Sequence, residues 1–132
     1  MPARLDHTII HSSDRFAGAR FLTELIGEPD PTPFGPFASV PLDGGVTLDY
    51  VDWDQEIVSQ HLAFLVSDEE FDTIFARITD REIPYWADPM HNEPQEINHH
   101  HGGRGVYLDD PDGHSVEFIT RTYVLDDPAP YS

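Results

Sequence analysis

The 132-residue chain contains no cysteine and no lysine, and it has no long apolar run. The absence of cysteine excludes disulfides, thiolate metal sites, iron–sulfur clusters and a cysteine nucleophile, so any metal must be bound by histidine nitrogen and carboxylate oxygen. No apolar stretch approaches the roughly 18 to 20 residues that cross a bilayer, and the first residues lack the apolar segment of a signal peptide. We therefore expect a cytoplasmic protein that contacts no membrane.

Acidic residues far outnumber basic ones in the chain. The 7 basic residues, all arginine, stand against 25 acidic ones, and the formal net charge is −18. Such a surface repels phosphates, so nucleic acid is not an expected partner. Two interpretations of the acidity remain, namely solubility and attraction of a positively charged ligand. The length and a hydrophobic content of 39% fit one domain.

The first half of the sequence reads as a strand, a helix and a hairpin. Capping residues at 12–14 precede an apolar helical pattern that ends at Gly27, and the proline-rich stretch that follows can neither continue a helix nor lie inside a sheet. The glycines of Asp43-Gly44-Gly45 suit a tight hairpin. The predicted elements are a strand at 4–11, a helix to 26, a loop at 28–36, and hairpin strands at 37–42 and 46–53.

The second half repeats this order. Ser67 and Glu70 form a capping box before a helix whose apolar residues recur at i, i+3, i+4 and i+7. The predicted elements are a strand at 61–66, this helix, a strand at 83–86, a polar loop at 87–103, and strands at 105–109 and 115–121. The order predicts one domain built by internal duplication, with modules at 4–58 and 59–123 and a tail at 124–132.

Side-chain alternation places chemistry on one face of the predicted strands. Successive residues of a strand point to opposite sides, so His61, Ala63 and Leu65 lie opposite Leu62 and Phe64. The same rule gives each of the other strands a polar face opposite its apolar neighbours. The polar residues that share this face are His7, Asp49, His61, Tyr107 and Glu117.

Three segments, 5–27, 60–78 and 103–119, resemble proteins of the vicinal oxygen chelate superfamily, which includes glyoxalase I, extradiol dioxygenases and bleomycin-binding proteins. The resemblance implies an α+β fold in which two βαβββ modules form a cup of curved mixed sheet. It also implies a divalent metal bound by His7, His61 and Glu117, and the Asp-Pro-Asp-Gly turn at 110–113 precedes Glu117 by the family's spacing. Such a triad leaves coordination positions open for a small-molecule substrate.

The end of the chain is similar to that of extradiol dioxygenases. These enzymes carry a His, an apolar residue with Tyr, a Pro-x-Gly turn and then the metal-binding Glu. The matching residues are His100, Val106, Tyr107, Pro111, Gly113 and Glu117. The resemblance implies that His100 acts as the acid/base and that Tyr107 hydrogen-bonds the substrate. It favours Fe(II) or Mn(II), with Zn(II) or Ni(II) as alternatives, and a substrate with vicinal oxygens such as a catechol.

Two other functions stay open at this point. A glyoxalase I-like lyase needs a fourth ligand in the first module, for which Asp49 is the candidate. A metal-free protein of the bleomycin-resistance type would instead bind a cationic small molecule. Fosfomycin-type chemistry is disfavoured because lysine is absent and arginine is scarce. We expect a homodimer, with the site formed either within one chain or across a swapped pair.

Overall fold

The computed structural model describes residues 2–126, so most of the predicted tail, at 127–132, lies outside the described residues. The chain divides into two compact units. The first unit comprises the described residues up to Gln60 together with Asp110–Gly113, and the second comprises His61–Asp109 and the described residues from His114 onward.

The first unit is a four-stranded mixed sheet with one helix. The elements are β1 (His7–Ser12), α1 (Arg15–Ile26), β2 (Thr32–Phe34), β3 (Phe37–Pro41) and β4 (Thr47–Asp52). The strand order is β1-β4-β3-β2, in which β1 and β4 are parallel and the other neighbours are antiparallel.

The second unit has the same topology. The elements are β5 (His61–Leu65), α2 (Asp68–Asp80), a 3-10 turn (His100–Gly102), β6 (Gly105–Asp109) and β7 (Ser115–Ile119). The sheet has the order β5-β7-β6, with β5 and β7 parallel. Trp86 pairs with Tyr107 of β6, at the position where the first unit has its fourth strand. The predicted α+β fold with a repeated βαβββ-like order is confirmed, and neither sheet closes into a barrel.

Local signals explain where both helices begin and end. The Asp14 side chain accepts hydrogen bonds from the first turn of α1, and Gly27 ends that helix at a φ of 75°. Ser67 and Glu70 form the predicted capping box of α2. In residues 2–126 no helix is long and apolar enough to cross a membrane.

Proline accounts for two differences from the sequence prediction. The stretch predicted as a loop at 28–36 contains β2, which accommodates Pro33 because it is the edge strand of its sheet. The strand predicted at 83–86 is reduced to the pairing of Trp86, since Pro84 has no N–H to donate and Ile83 N–H donates to Ile78 at the end of α2. The predicted loop at 28–36 was thus too long, because it includes a strand, and the predicted strand at 83–86 was too long as well.

The core of the second unit follows the alternation predicted for its strands. Val116 and Phe118 are fully buried, whereas Glu117 between them is only half-buried. We call the face of this sheet that carries His61, Glu117 and Tyr107 its histidine face. Parity therefore separates core from candidate chemistry in β7, whereas in β6 Tyr107 is buried although it lies on the histidine face.

The Asp-Pro-Asp-Gly turn stabilises the start of α1 in the first unit. The Asp112 carboxylate accepts hydrogen bonds from Ser12 Oγ at 2.6 Å and from Ser13 N at 2.9 Å and Oγ at 2.6 Å. Burial, reinforced by the charges of Asp110 and Asp112, raises the pKa of Tyr50. Tyr50 is thus a core residue of the first unit.

Candidate metal site

The second unit brings His61 and Glu117 into direct contact on its histidine face. His61 Nε2 lies 3.0 Å from Glu117 Oε1. The contact is diagonal, because His61 pairs in register with Ser115 while Glu117 pairs with Ala63. The Glu117 side chain is 13% exposed and that of His61 is 49% exposed. A shielded carboxylate therefore faces an imidazole that solvent reaches.

Ser115 and Tyr107 surround this pair. Ser115 Oγ lies 3.2 Å from His61 Nδ1, so both nitrogens of the imidazole have a polar neighbour. Tyr107 is directly opposite Glu117 in register, and its ring centroid is 5.9 Å from that of His61. The predicted site residue Tyr107 thus lies beside two of the three predicted ligands.

An aromatic stack extends the histidine face beyond Tyr107. Trp86 pairs with Tyr107, and the ring of His91 stacks on Trp86 with centroids 3.6 Å apart and planes at 6°. His91 Nε2 lies 3.5 Å from Asp109 Oδ1, and Asp109 pairs with Ser115. The sequence did not predict the group of Trp86, His91 and Asp109. Its one signal in the sequence was the alternation that puts Asp109 on the same face of β6 as Tyr107.

Buried Asp88 holds the loop that carries His91. Its carboxylate accepts hydrogen bonds from the backbone N–H groups of Asn92 at 3.0 Å and Glu93 at 2.8 Å. Burial by itself raises the pKa of Asp88, but the backbone hydrogen bonds together outweigh it and lower the pKa below its usual 3.8. The ionised carboxylate therefore stabilises the folded loop.

The Asp88→Asn variant should reveal this contribution through its pH dependence. A carboxyl whose pKa is lower in the folded state stabilises fully above its unfolded value of 3.8, and the effect disappears as the pH falls through the folded value. We expect the variant to have the lower Tm, with a difference that is constant from neutral pH to about pH 5 and narrows below about pH 4. Thermal melts of both proteins across this range measure it, and a difference that does not narrow at all as the pH falls below 3.8 would contradict the assignment.

The first unit carries a related arrangement around His7. Asp49 lies two residues beyond Thr47, the register partner of His7, as Glu117 lies two residues beyond Ser115, the partner of His61. The Asp49 Oδ1 accepts a hydrogen bond from Ser39 Oγ at 2.6 Å. His7 Nδ1 lies 2.7 Å from Asp6 Oδ2, and this hydrogen bond raises the pKa of His7. An open cavity of about 550 Å³ borders these side chains. Its lining residues are Asp6, His7, Ile9, Thr32, Phe34, Phe37, Ser39, Pro41, Thr47 and Asp49.

The remaining predicted site residue, His100, lies in the 3-10 turn that precedes β6. Its backbone N–H donates to Asn98 Oδ1, and its ring meets that of His101 edge-on. Within residues 2–126, no three or more histidine, aspartate or glutamate side chains are grouped so that they could hold a metal ion. Among the three predicted ligands, His61 and Glu117 are the two that the described residues bring into direct contact.

This pair fits a divalent ion. Metal bonds to histidine nitrogen and carboxylate oxygen are about 2.0 to 2.2 Å long, and two such ligands at right angles about one ion are about 3.0 Å apart. The Nε2–Oε1 distance of 3.0 Å matches that separation. The donor set of neutral nitrogen and anionic oxygen suits Fe(II), Mn(II), Zn(II) and Ni(II) alike.

Comparison with known proteins finds close relatives among solved structures. The structure of "Oxidase ChaP-H1" has 52% sequence identity and a TM-score of 0.90, over 92% of this chain and 98% of that one. "Oxidase ChaP-H2" has 50% identity and a TM-score of 0.90, over 93% and 97% of the two chains. No protein-family model and no curated protein sequence matches the chain.

A more distant structure shares the fold. The lactoylglutathione lyase from Agrobacterium tumefaciens is 21% identical, with a TM-score of 0.65 over 89% of this chain and 93% of that one. A sequence identity of 21% establishes only a shared fold. A sequence identity of 50% or more over nearly the whole length of both chains establishes a shared family. The chain therefore belongs to the vicinal oxygen chelate superfamily, in the same family as ChaP-H1 and ChaP-H2.

Proposed function

We propose that the protein is a divalent-metal-dependent oxygenase that chelates its substrate through two vicinal oxygens. The observation that carries the proposal is the 3.0 Å approach of His61 Nε2 to Glu117 Oε1, the separation that two neighbouring ligands of one ion adopt. The names of ChaP-H1 and ChaP-H2 as oxidases support the oxidative direction. Fe(II) or Mn(II) is the metal that we propose.

His7 is proposed as the third ligand, contributed by a second copy of the chain. His7 belongs to the first unit and the His61–Glu117 pair to the second. In proteins of this superfamily the two modules complete a site either within one chain or across a swapped pair, and we propose the swapped pair. A homodimer related by twofold symmetry would supply His7 twice and so complete two equivalent sites.

The bound ion would supply Lewis acidity and access to dioxygen, and the side chains around it would orient the substrate. We propose that Tyr107 hydrogen-bonds a substrate oxygen through its phenol, and its position opposite Glu117 and beside His61 supports this role. We propose His100 as the residue that moves a proton to or from the substrate, in the role that extradiol enzymes give the matching histidine. The reaction class that we propose is extradiol ring cleavage of a catechol.

Metal loading and oxygen uptake test the proposal. Tag-free protein, loaded anaerobically with Fe(II) or Mn(II) and desalted, should retain one ion per chain, consume dioxygen with one or more of a panel of catechols, and form ring-opened products detected by absorbance. Retention of no metal would overturn the metal site. Metal retention with turnover of a hemithioacetal, and no oxygen uptake, would overturn the oxygenase and favour the glyoxalase I-like lyase.

The cavity in the first unit favours a second candidate, a binding protein for a cationic small molecule. Its wall combines the carboxylates of Asp6 and Asp49 with the aromatic rings of Phe34 and Phe37. Aromatic rings beside carboxylates suit an aromatic or alkyl ammonium ion. A rise in Tm with such an ammonium ion that is the same in metal-free and metal-loaded protein would support this candidate over the oxygenase.

A further inference from the structure

Both candidate histidine ligands are held through the same ring nitrogen. In the first unit His7 Nδ1 lies 2.7 Å from Asp6 Oδ2, and in the second His61 Nδ1 lies 3.2 Å from Ser115 Oγ. A metal binds the ring nitrogen that carries a lone pair, and a hydrogen bond at the other nitrogen selects which one that is. Both contacts engage Nδ1, so Nε2 is the nitrogen that each ring can offer to a metal.

The two partners differ in what they can accept and donate. An ionised carboxylate only accepts, so the Asp6 contact requires a hydrogen on His7 Nδ1 and leaves the lone pair on Nε2. A serine hydroxyl can donate or accept, so Ser115 tolerates either form of His61. Glu117 Oε1 lies 3.0 Å from His61 Nε2, and as an acceptor it requires the hydrogen there.

Backbone geometry explains how Asp6 can reach its neighbour. Adjacent residues within a strand point to opposite faces, but Asp6 precedes β1, which begins at His7. The Asp6 carbonyl accepts a hydrogen bond from Thr47 N at 3.0 Å, which fixes the backbone at Asp6. From this fixed backbone the Asp6 side chain reaches His7 Nδ1. The Asp6 and His7 side chains are 87% and 57% exposed, and an exposed contact of this kind stabilises a fold little.

We propose that Asp6 and Ser115 are positioning residues for the metal ligands and that they act in different ways. Asp6 presets His7 in the form with hydrogen on Nδ1, ready to bind through Nε2. Ser115 allows His61 to exchange forms, because its hydroxyl can either donate or accept a hydrogen bond. As the ion binds, the His61 ring loses the hydrogen on Nε2 and gains one on Nδ1. The Ser115 hydroxyl then changes from donor to acceptor. The exchange is neutral in protons. This inference rests on the proposed metal site.

Imidazole nitrogen spectra test the inference directly. Two-bond proton–nitrogen correlation at about pH 8, where free histidine is neutral, distinguishes the two ring forms. In metal-free protein we expect the Nδ1–H form for His7 and the Nε2–H form for His61, and in protein loaded with diamagnetic Zn(II) we expect the Nδ1–H form for both. Metal-free His7 in the Nε2–H form, or His61 unchanged on loading, would overturn the inference.

Zn(II) affinity provides a second readout. Loss of an outer partner of a metal-bound histidine weakens binding by about 10- to 100-fold, which we expect for Asp6→Ala and Ser115→Ala. Ser115→Thr keeps the hydroxyl and should bind almost as wild type does. Asp30→Ala removes another exposed carboxylate and serves as the control for Asp6→Ala. Wild type that binds no Zn(II) overturns the proposed metal site. Wild type that binds, with both alanine variants unchanged, overturns only the positioning roles.

Discussion

Replacing Glu117 with glutamine is expected to abolish metal binding and turnover while leaving the fold intact. The carboxylate is the anionic member of the pair, and the neutral amide can neither balance the charge of a divalent ion nor match the affinity of an ionised oxygen for it. Loss of a residue that only hydrogen-bonds a metal ligand weakens metal binding by up to about 100-fold. Because Glu117 would contact the ion itself, we expect Mn(II) affinity to fall by more than this. Calorimetric titration with Mn(II) measures the change.

The matched control is Glu56→Gln, which makes the same replacement at an exposed position in the segment between β4 and β5. It should bind Mn(II) as wild type does, since it removes one of many surface charges. Glu117→Gln should melt near the wild-type Tm because glutamine has almost the same shape. If Glu117→Gln folds and retains the wild-type Mn(II) affinity, the metal binds elsewhere.

Local signals made much of the fold predictable. The capping box of Ser67 and Glu70 and the left-handed end at Gly27 depend only on neighbouring residues, and both helices lie where the sequence predicts. The strands around Pro33 and Pro84 were mispredicted because the effect of proline depends on whether its missing N–H faces a neighbouring strand. That is a property of sheet order, which local sequence does not encode.

Strand parity made part of the candidate site predictable. It places His61 and Glu117 on one face, as found. Parity does not specify register, since a slip of two residues keeps every side chain on its face but changes every partner. The pairing of His61 with Ser115, and the diagonal contact to Glu117 that follows, therefore emerge only from the folded sheet.

The contacts of the loop after Trp86 lay beyond sequence reasoning. His91 stacks on Trp86 only because the loop turns back, with His91 at a φ of 62° and Asp88 binding the following N–H groups. A left-handed conformation at a non-glycine residue carries no periodic signal. The Asp6–His7 contact is different, because the two residues are adjacent and a carboxylate beside a candidate ligand is visible in the sequence.

Pairing two inactive chains is expected to restore a working site if His7 comes from a second copy. In a heterodimer of His7→Ala and Glu117→Gln chains, one site lacks both residues, while the other combines the intact His7 of one chain with the intact His61 and Glu117 of its partner. Co-expressed chains with different tags, purified as heterodimers, should bind about half as much Mn(II) per chain as the wild-type dimer, whereas each parent homodimer binds almost none. Elemental analysis gives the stoichiometry.

The reciprocal heterodimer makes the result decisive. When one chain carries both His7→Ala and Glu117→Gln and the other is wild type, shared sites each lack one ligand, so the expected Mn(II) content is near that of the inactive parents. Sites formed within single chains would give the opposite pair of results: no binding when the substitutions are on separate chains, and about half when they are on the same chain. Because both heterodimers contain the same two substitutions, a difference between them reports only which chain supplies His7.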